Sequence, residues 1–195
     1  MLPELTTRSM ISAAADYADT HSFETLSLSA IARELGVGHD VVARLVPTRE
    51  ALLGGVQALA LAELGDRVES AMAGAEGIDR VRAIAESYRE YSREKPGRWR
   101  SLLKPISEET TQDPDSRRIL RIMQEAMAAC GVPEADLVHA SRMTAALVIG
   151  YIRLEAAGIY AMREPDAEAT WERMIEVCDV FLRHWPSGPA EPGGR

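Results

Sequence analysis

Between Ser27 and Glu50 the chain reads SLSAIARELGVGHDVVARLVPTRE, a run that forces short helices joined at sharp angles. Ser27 is a helix N-cap by type, because its hydroxyl can accept from a first-turn amide. Leu28, Ile31, Ala32 and Leu35 recur on one helical face. Gly36 stands where a left-handed residue ends a helix. Val37 fills the turn, and Gly38 to Val46 makes a third short helix. Pro47 ends it, since the residue before a proline is pushed out of helical geometry. Thr48 caps a longer fourth helix, with Glu50 in its first turn where the helix dipole favours a carboxylate.

Two short helices around a glycine turn, at about residues 27–46, form a helix-turn-helix pattern. In such a motif the first helix lies across a duplex backbone, and the turn lets the second enter the major groove, which is wide enough for one helix. Upstream, Thr6 and Thr7 cap a helix carrying Ile11, Ala14, Ala15 and Ala18 on one face and ending near His21-Ser22. The fourth helix keeps an apolar stripe (Ala51, Leu52, Val56, Leu59, Ala60, Leu64) towards Met72. Five further helices are expected: Ile78 to Lys95, Arg98 to about Ile106, Pro114 (after Asp113) to Cys130, Pro133 to Ala157, and Asp166 to Trp185. The fold class is therefore all-α, with about nine helices. A helix-turn-helix domain occupies residues 1–50, a larger helical bundle residues 51–185, and the Pro/Gly-rich PSGPAEPGGR of 186–195 is a disordered tail.

Composition narrows the function class. An apolar fraction of 46% over 195 residues supports a substantial core. A formal net charge of −8 argues against a protein that coats nucleic acid without specificity, and against a polybasic membrane binder, while leaving room for a local basic patch. No apolar run approaches ~20 residues and no leader pattern opens the chain, so the expectation is a cytoplasmic protein with no membrane partner. Cys130 and Cys178 each sit in an apolar helical pattern and read as buried thiols. His21, His139 and His184 have no ligand spacing, so no metal site is expected. No nucleophile–base pair or phosphate loop is visible, and Glu108-Glu109 read as a solvated loop, so no catalytic residue, cofactor or enzymatic activity is expected.

The stretch TTRSMISAAADYADTHSFETLSLSAIARELGVGHDVVARLVPTREALL resembles the N-terminal domain of the TetR (tetracycline repressor) family of transcriptional regulators, over roughly residues 5–60. Further on, YREYSREKPGRWRSLL and ALVIGYIRLEAAG are similar to the ligand domain of the subgroup named for a Trp-His-Gly motif. Gly150 of that signature is kept, and Ile149 stands where the His would be. The resemblance implies an all-α homodimer whose N-terminal domains each read half of a palindromic double-stranded operator. Its C-terminal bundle would take a small-molecule effector that relieves repression. Carried over by position, His39, Asp40 and Val41 face bases, Arg44 lies near the groove edge as a phosphate clamp, and Ser27, Thr48 and Arg49 contact phosphates.

Departures from the family pattern bear on affinity. The recognition helix usually carries a Tyr whose hydroxyl meets a phosphate, and Ala43 stands there instead. The His and Phe that commonly follow are Leu45 and Val46, and Asp40 puts a carboxylate where a Gly, Pro or Thr is frequent. A carboxylate faces dense phosphate charge there, although it can accept from cytosine N4. Within residues 1–50, Arg8, Arg33, Arg44 and Arg49 face seven carboxylates: Glu4, Asp16, Asp19, Glu24, Glu34, Asp40 and Glu50. With two or three cationic contacts per subunit, binding must lean on hydroxyls, backbone amides and helix N-termini. A ligand-binding dimeric module of the same fold, with operator binding weakened or lost, is the alternative.

The resemblance also suggests a pocket lined by Tyr88, Tyr91, Trp99, Met123, Met127, Met143 and Tyr151, although such Met and aromatic stripes are often plain core. Arg89, Arg93, Lys95, Arg98, Arg100 and Lys104 are interleaved with Glu86, Glu90 and Glu94, and read as a solvated helix face. Ala145-Ala146 to Gly150 and Met174, Val177, Phe181 and Leu182 carry more apolar surface than one monomer hides, and are expected to pack across a two-fold axis.

Overall fold

The computed structural model describes residues 5–105 and 114–186. The expected tail at 187–195 and the expected loop at Glu108-Glu109 lie outside them. The described residues form nine α-helices and no strand: α1 Thr7–His21, α2 Leu28–Leu35, α3 His39–Leu45, α4 Arg49–Ala71, α5 Ile78–Glu94, α6 Pro96–Leu102, α7 Pro114–Ala129, α8 Leu137–Ala156 and α9 Ala167–Arg183. Short 3-10 turns at Phe23–Thr25, Glu134–Asp136 and Ile159–Met162 join some of them. The described residues fall into two compact units, one from 5–71 with 86–105 and 114–121, the other from 72–85 with 122–186.

The first unit is built on small residues. Thr6 and Ser9 cap α1 reciprocally, and Met10, Ala14, Ala15 and Ala18 recur at helical spacing and are fully buried. With Phe23, Leu26, Ile31, Ala32, Val42, Val46, Leu52 and Val56 they form one continuous core beneath α2, α3 and the start of α4. The alanines of α1 also admit α6. A side chain at Gly97 would strike the backbone of Ala18, so this helix crossing exists only because position 97 has no Cβ. Compactness thus groups α4, the end of α5 and α6 with the three short helices.

In the second unit, Ile122, Met123, Ala126 and Met127 of α7, Ala140, Thr144, Val148, Tyr151 and Ile152 of α8, and Trp171, Ile175, Cys178 and Leu182 of α9 are buried. Tyr151 anchors this core. Its ring stacks on Tyr160 at 4.8 Å and meets Trp171 edge-on at 5.0 Å, and its hydroxyl donates to the carbonyl of Ala167. The opposite faces of α8 and α9 remain apolar and uncovered, at Met143, Leu147, Leu154, Val177 and Val180.

Candidate nucleic-acid interface

Local chemistry sets the turn between α2 and α3. Ser27 Oγ accepts from the amide of Ala30 at 3.1 Å and starts α2. Gly36 ends it with φ 65° and ψ 31°, and the amide of Val37 closes back on the carbonyl of Ala32 at 3.0 Å. α3 follows as a seven-residue helix that fully buries only Val42. At about 100° per residue, Asp40 and Arg44 fall to either side of the direction opposite Val42. Val41 and Ala43 flank that outer edge, and His39 and Leu45 lie nearer the core. Asp40 and Arg44 are paired at 3.8 Å, with side chains 80% and 73% exposed. Asp40 Oδ1 occupies the space that a Cβ at Gly38 would take.

The other expected contact residues divide. Thr48 Oγ1 accepts from the amide of Ala51 at 3.1 Å, so Thr48 and Ser27 both act as helix caps. Among the described residues neither hydroxyl donates to a protein acceptor. Arg49, expected at a phosphate, donates its Nε to the carbonyl of Leu26 at 2.7 Å and a terminal nitrogen to that of Glu24 at 3.1 Å. It ties the start of α4 to the link before α2, because those carbonyls have no helical partner and a guanidinium fork can reach both. Arg8 and Arg33 are exposed and have no ion pair among the described residues.

On α5 and α6 the expectation of a solvated face fails for Arg89 and Arg98, which are buried, while Arg93, Arg100 and, just after α6, Lys104 are exposed. Arg98 sits in an acidic cage. Its terminal nitrogens reach Asp16 Oδ1 at 2.6 Å and Asp19 Oδ2 at 3.1 Å, and its Nε lies 3.6 Å from Glu63. Asp19 Oδ1 also accepts from the amides of Gly97 and Arg98 at 3.0 and 2.9 Å, capping α6. Tyr91 donates to Glu63 at 2.9 Å, and burial beside that carboxylate pushes its phenol far above the ordinary range. Glu24 meets Arg100 and Lys104, each at 3.3 Å. Its carboxyl is held down at about 2, chiefly by the Ser22 hydroxyl. Three of the seven carboxylates that weigh against DNA binding by charge, Asp16, Asp19 and Glu24, therefore engage cations from α6 and the residues after it. The pairing partners lie 76 to 82 residues apart, and no local pattern announces them.

The seven pocket candidates fall into both units. Tyr88 and Trp99 meet edge-on at 5.6 Å in the first, near Tyr91, whose ring lies 5.7 Å from the Arg67 guanidinium. Met123, Met127 and Tyr151 are buried in the second, where Thr144 Oγ1 lies 3.6 Å from Met127 Sδ. Met143 lies outside that core, 49% exposed on the uncovered face of α8. A cleft of about 430 Å³ lined by Phe23, Glu24, Arg49, Leu53, Gln57 and Lys104, and one of about 510 Å³ along Glu155–Ala167, contain none of the seven.

Residues 81–178, half of the chain, match the family described as "Tetracyclin repressor-like, C-terminal domain". The chain belongs to the TetR family of transcriptional regulators. Solved structures share its fold along nearly the whole length. Apo ActR from Streptomyces coelicolor aligns with a TM-score of 0.72, at 15% identity over 94% of this chain and 97% of that one. BioQ from Mycobacterium smegmatis aligns at 0.71, with 17% identity over 92% and 98%. SCO7222, a TetR from Streptomyces coelicolor, aligns at 0.68, with 20% identity over 93% and 100%. ActR has also been solved in complex with (S)-DNPA. No curated protein sequence matches this TetR-family regulator. Among its described residues, no helix is long and apolar enough to cross a membrane.

Proposed function

We propose that this TetR-family regulator is a cytoplasmic homodimer that represses transcription from a palindromic operator and is released by a small-molecule effector. The observation that carries the proposal is α3, a short helix behind a Ser-capped, glycine-turned α2, which buries Val42 and turns Asp40 and Arg44 to solvent. Residues 1–50 act as the DNA-binding part and residues 51–185 as the effector-binding and dimerising part. Ser27 and Thr48 hydroxyls and the adjoining helix N-termini take phosphates, and the exposed start of α3, at His39 and Asp40, faces bases with Val41 on its flank. The uncovered Met143, Leu147, Leu154, Val177 and Val180 supply an apolar contact between two copies.

Effector binding works by population shift. Two recognition helices must reach major grooves ~34 Å apart, and an effector that favours another spacing by about 1–3 kcal/mol loosens operator binding five- to 150-fold. Tyr88, Tyr91, Trp99, Met123, Met127 and Tyr151 are buried and meet a ligand only by repacking; Met143 belongs instead to the dimer contact. The complex of ActR with (S)-DNPA supports a ligand-bearing body in this fold.

The module without operator binding is the second reading, and Ala43 in place of the family's Tyr favours it. Selection of fragments from a genomic library by the purified protein separates the two. The regulator predicts enrichment of a palindrome with half-sites about one helical turn apart. A folded dimer that enriches no sequence would establish the module instead.

A further inference from the structure

The outer edge of α3 carries a paired carboxylate and guanidinium, not a lone cation. We propose that Arg44, held by Asp40, reads a guanine in each half-site and is not a phosphate clamp. This inference rests on α3 being the recognition helix.

Three features support it. A helix lying in the major groove points its outermost edge at the base edges, while its flanks face the two phosphate strands. Asp40 and Arg44 hold that outermost edge, opposite the buried Val42, whereas the flanking Val41 and Ala43 have no side-chain donor. Second, Arg44 is the only Arg or Lys on α3. Its planar fork has five N–H groups, so one edge can stay with Asp40 while another donates twice, to guanine O6 and N7. Third, the pair is electrically neutral. An isolated carboxylate in the groove would be repelled by phosphates, and Arg44 one turn away cancels it. In water an exposed pair of this kind stabilises little. Inside a groove that excludes water, the same pairing orients Arg44 more strongly. Gly38 takes part as well, because its missing side chain leaves the space in which the Asp40 carboxylate lies. Asp40 is thus a positioning residue, and Arg44 makes the base contact.

The test uses the full-length protein and duplexes derived from its selected palindrome, with each base pair of the half-site replaced in turn. For the wild type, replacing one particular G·C pair should reduce affinity about 5- to 150-fold per half-site. Arg44→Ala should erase the preference at that pair and leave preferences elsewhere unchanged. Asp40→Asn should weaken the same preference while binding unrelated DNA more tightly, because it leaves Arg44 with an uncancelled charge. Unchanged thermal unfolding of both variants shows that the head is intact, as expected for exposed side chains. A uniform loss across all duplexes in Arg44→Ala, with the salt slope falling by about 0.9 per subunit, would establish a phosphate clamp and overturn the proposal while leaving operator binding in place. If the wild type enriches no duplex, the DNA-binding reading fails and takes this proposal with it.

Discussion

Arg98→Ala removes the cation from the acidic cage that joins α1, α4 and α6. Arg98 is 4% exposed and Asp19 11%, so truncation leaves a largely buried carboxylate with only two backbone amides to hold it. Breaking a buried pair from one side is destabilising by about 3–5 kcal/mol. For a chain of this size each kcal/mol lowers Tm by about 2–4 °C, so a fall of about 6–20 °C is expected in thermal unfolding followed by helical circular dichroism. Asp16 offers an internal control, since it is 66% exposed. Its replacement by Asn should matter by less than about 1 kcal/mol despite the shorter contact. Combining Arg98→Met with Asp19→Asn neutralises both partners, and its effect should fall short of the sum of the singles by about 1–3 kcal/mol. A Tm for Arg98→Ala within about 2 °C of wild type, or strict additivity in the double variant, would show that the cage is solvated and that the energetic reasoning is wrong.

Other expectations follow from single sites. Gly36→Ala meets no atom within 4 Å, so its effect is conformational alone. About 1 kcal/mol of destabilisation in urea is expected from forcing φ 65° on an L residue, and no change would contradict a left-handed turn. Glu24 has a folded carboxyl at about 2 against an unfolded value of about 4.3. Its small contribution is therefore complete above the unfolded value and fades as pH falls towards 2. The urea midpoints of wild type and Glu24→Gln should draw together as pH falls from about 5 towards 2; a gap that widens in acid would reverse the assigned sign. Leu147→Glu with Val177→Glu places charges on the uncovered face of α8 and α9 and should give monomers in sedimentation at micromolar concentration, whereas an unchanged dimer would place the contact elsewhere. With Arg8 and Arg33 the exposed head arginines left for phosphates once Arg44 is on a base, the logarithmic salt slope at the operator should stay at about −4 for the dimer. A slope of ~8 or more would show unrecognised phosphate contacts.

Local chemistry made much of the fold readable in advance. Ser27, Gly36 and Pro47 each act through their own backbone or nearest amides, and α2 and α3 begin and end beside them. Pro114 likewise opens α7, while Pro96, just past the helix end expected at Lys95, is the first residue of α6, where its missing N–H has no helical partner anyway. Charge was less legible. The solvated-face expectation for Arg98 failed because periodicity ranks residues by type, and a guanidinium can be buried when Asp16 and Asp19 arrive from another helix. The hydrogen bonds of Arg49 were hidden for the same reason, since the carbonyls of Glu24 and Leu26 come within its reach only once the chain is folded. The Met stripe is ambiguous by pattern alone: Met127 is core and Met143 surface, although both occupy apolar patterns.

The central claim is that α3 turns its outer edge into a duplex. Hydroxyl-radical labelling of the protein, alone and with its selected duplex, measures this directly, with the 83% exposed Met162 as an internal reference. Several-fold protection of the exposed His39 and Arg44, with Met162 unaffected, is the predicted result. Equal labelling of α3 in both states, while the duplex is demonstrably bound, would contradict it.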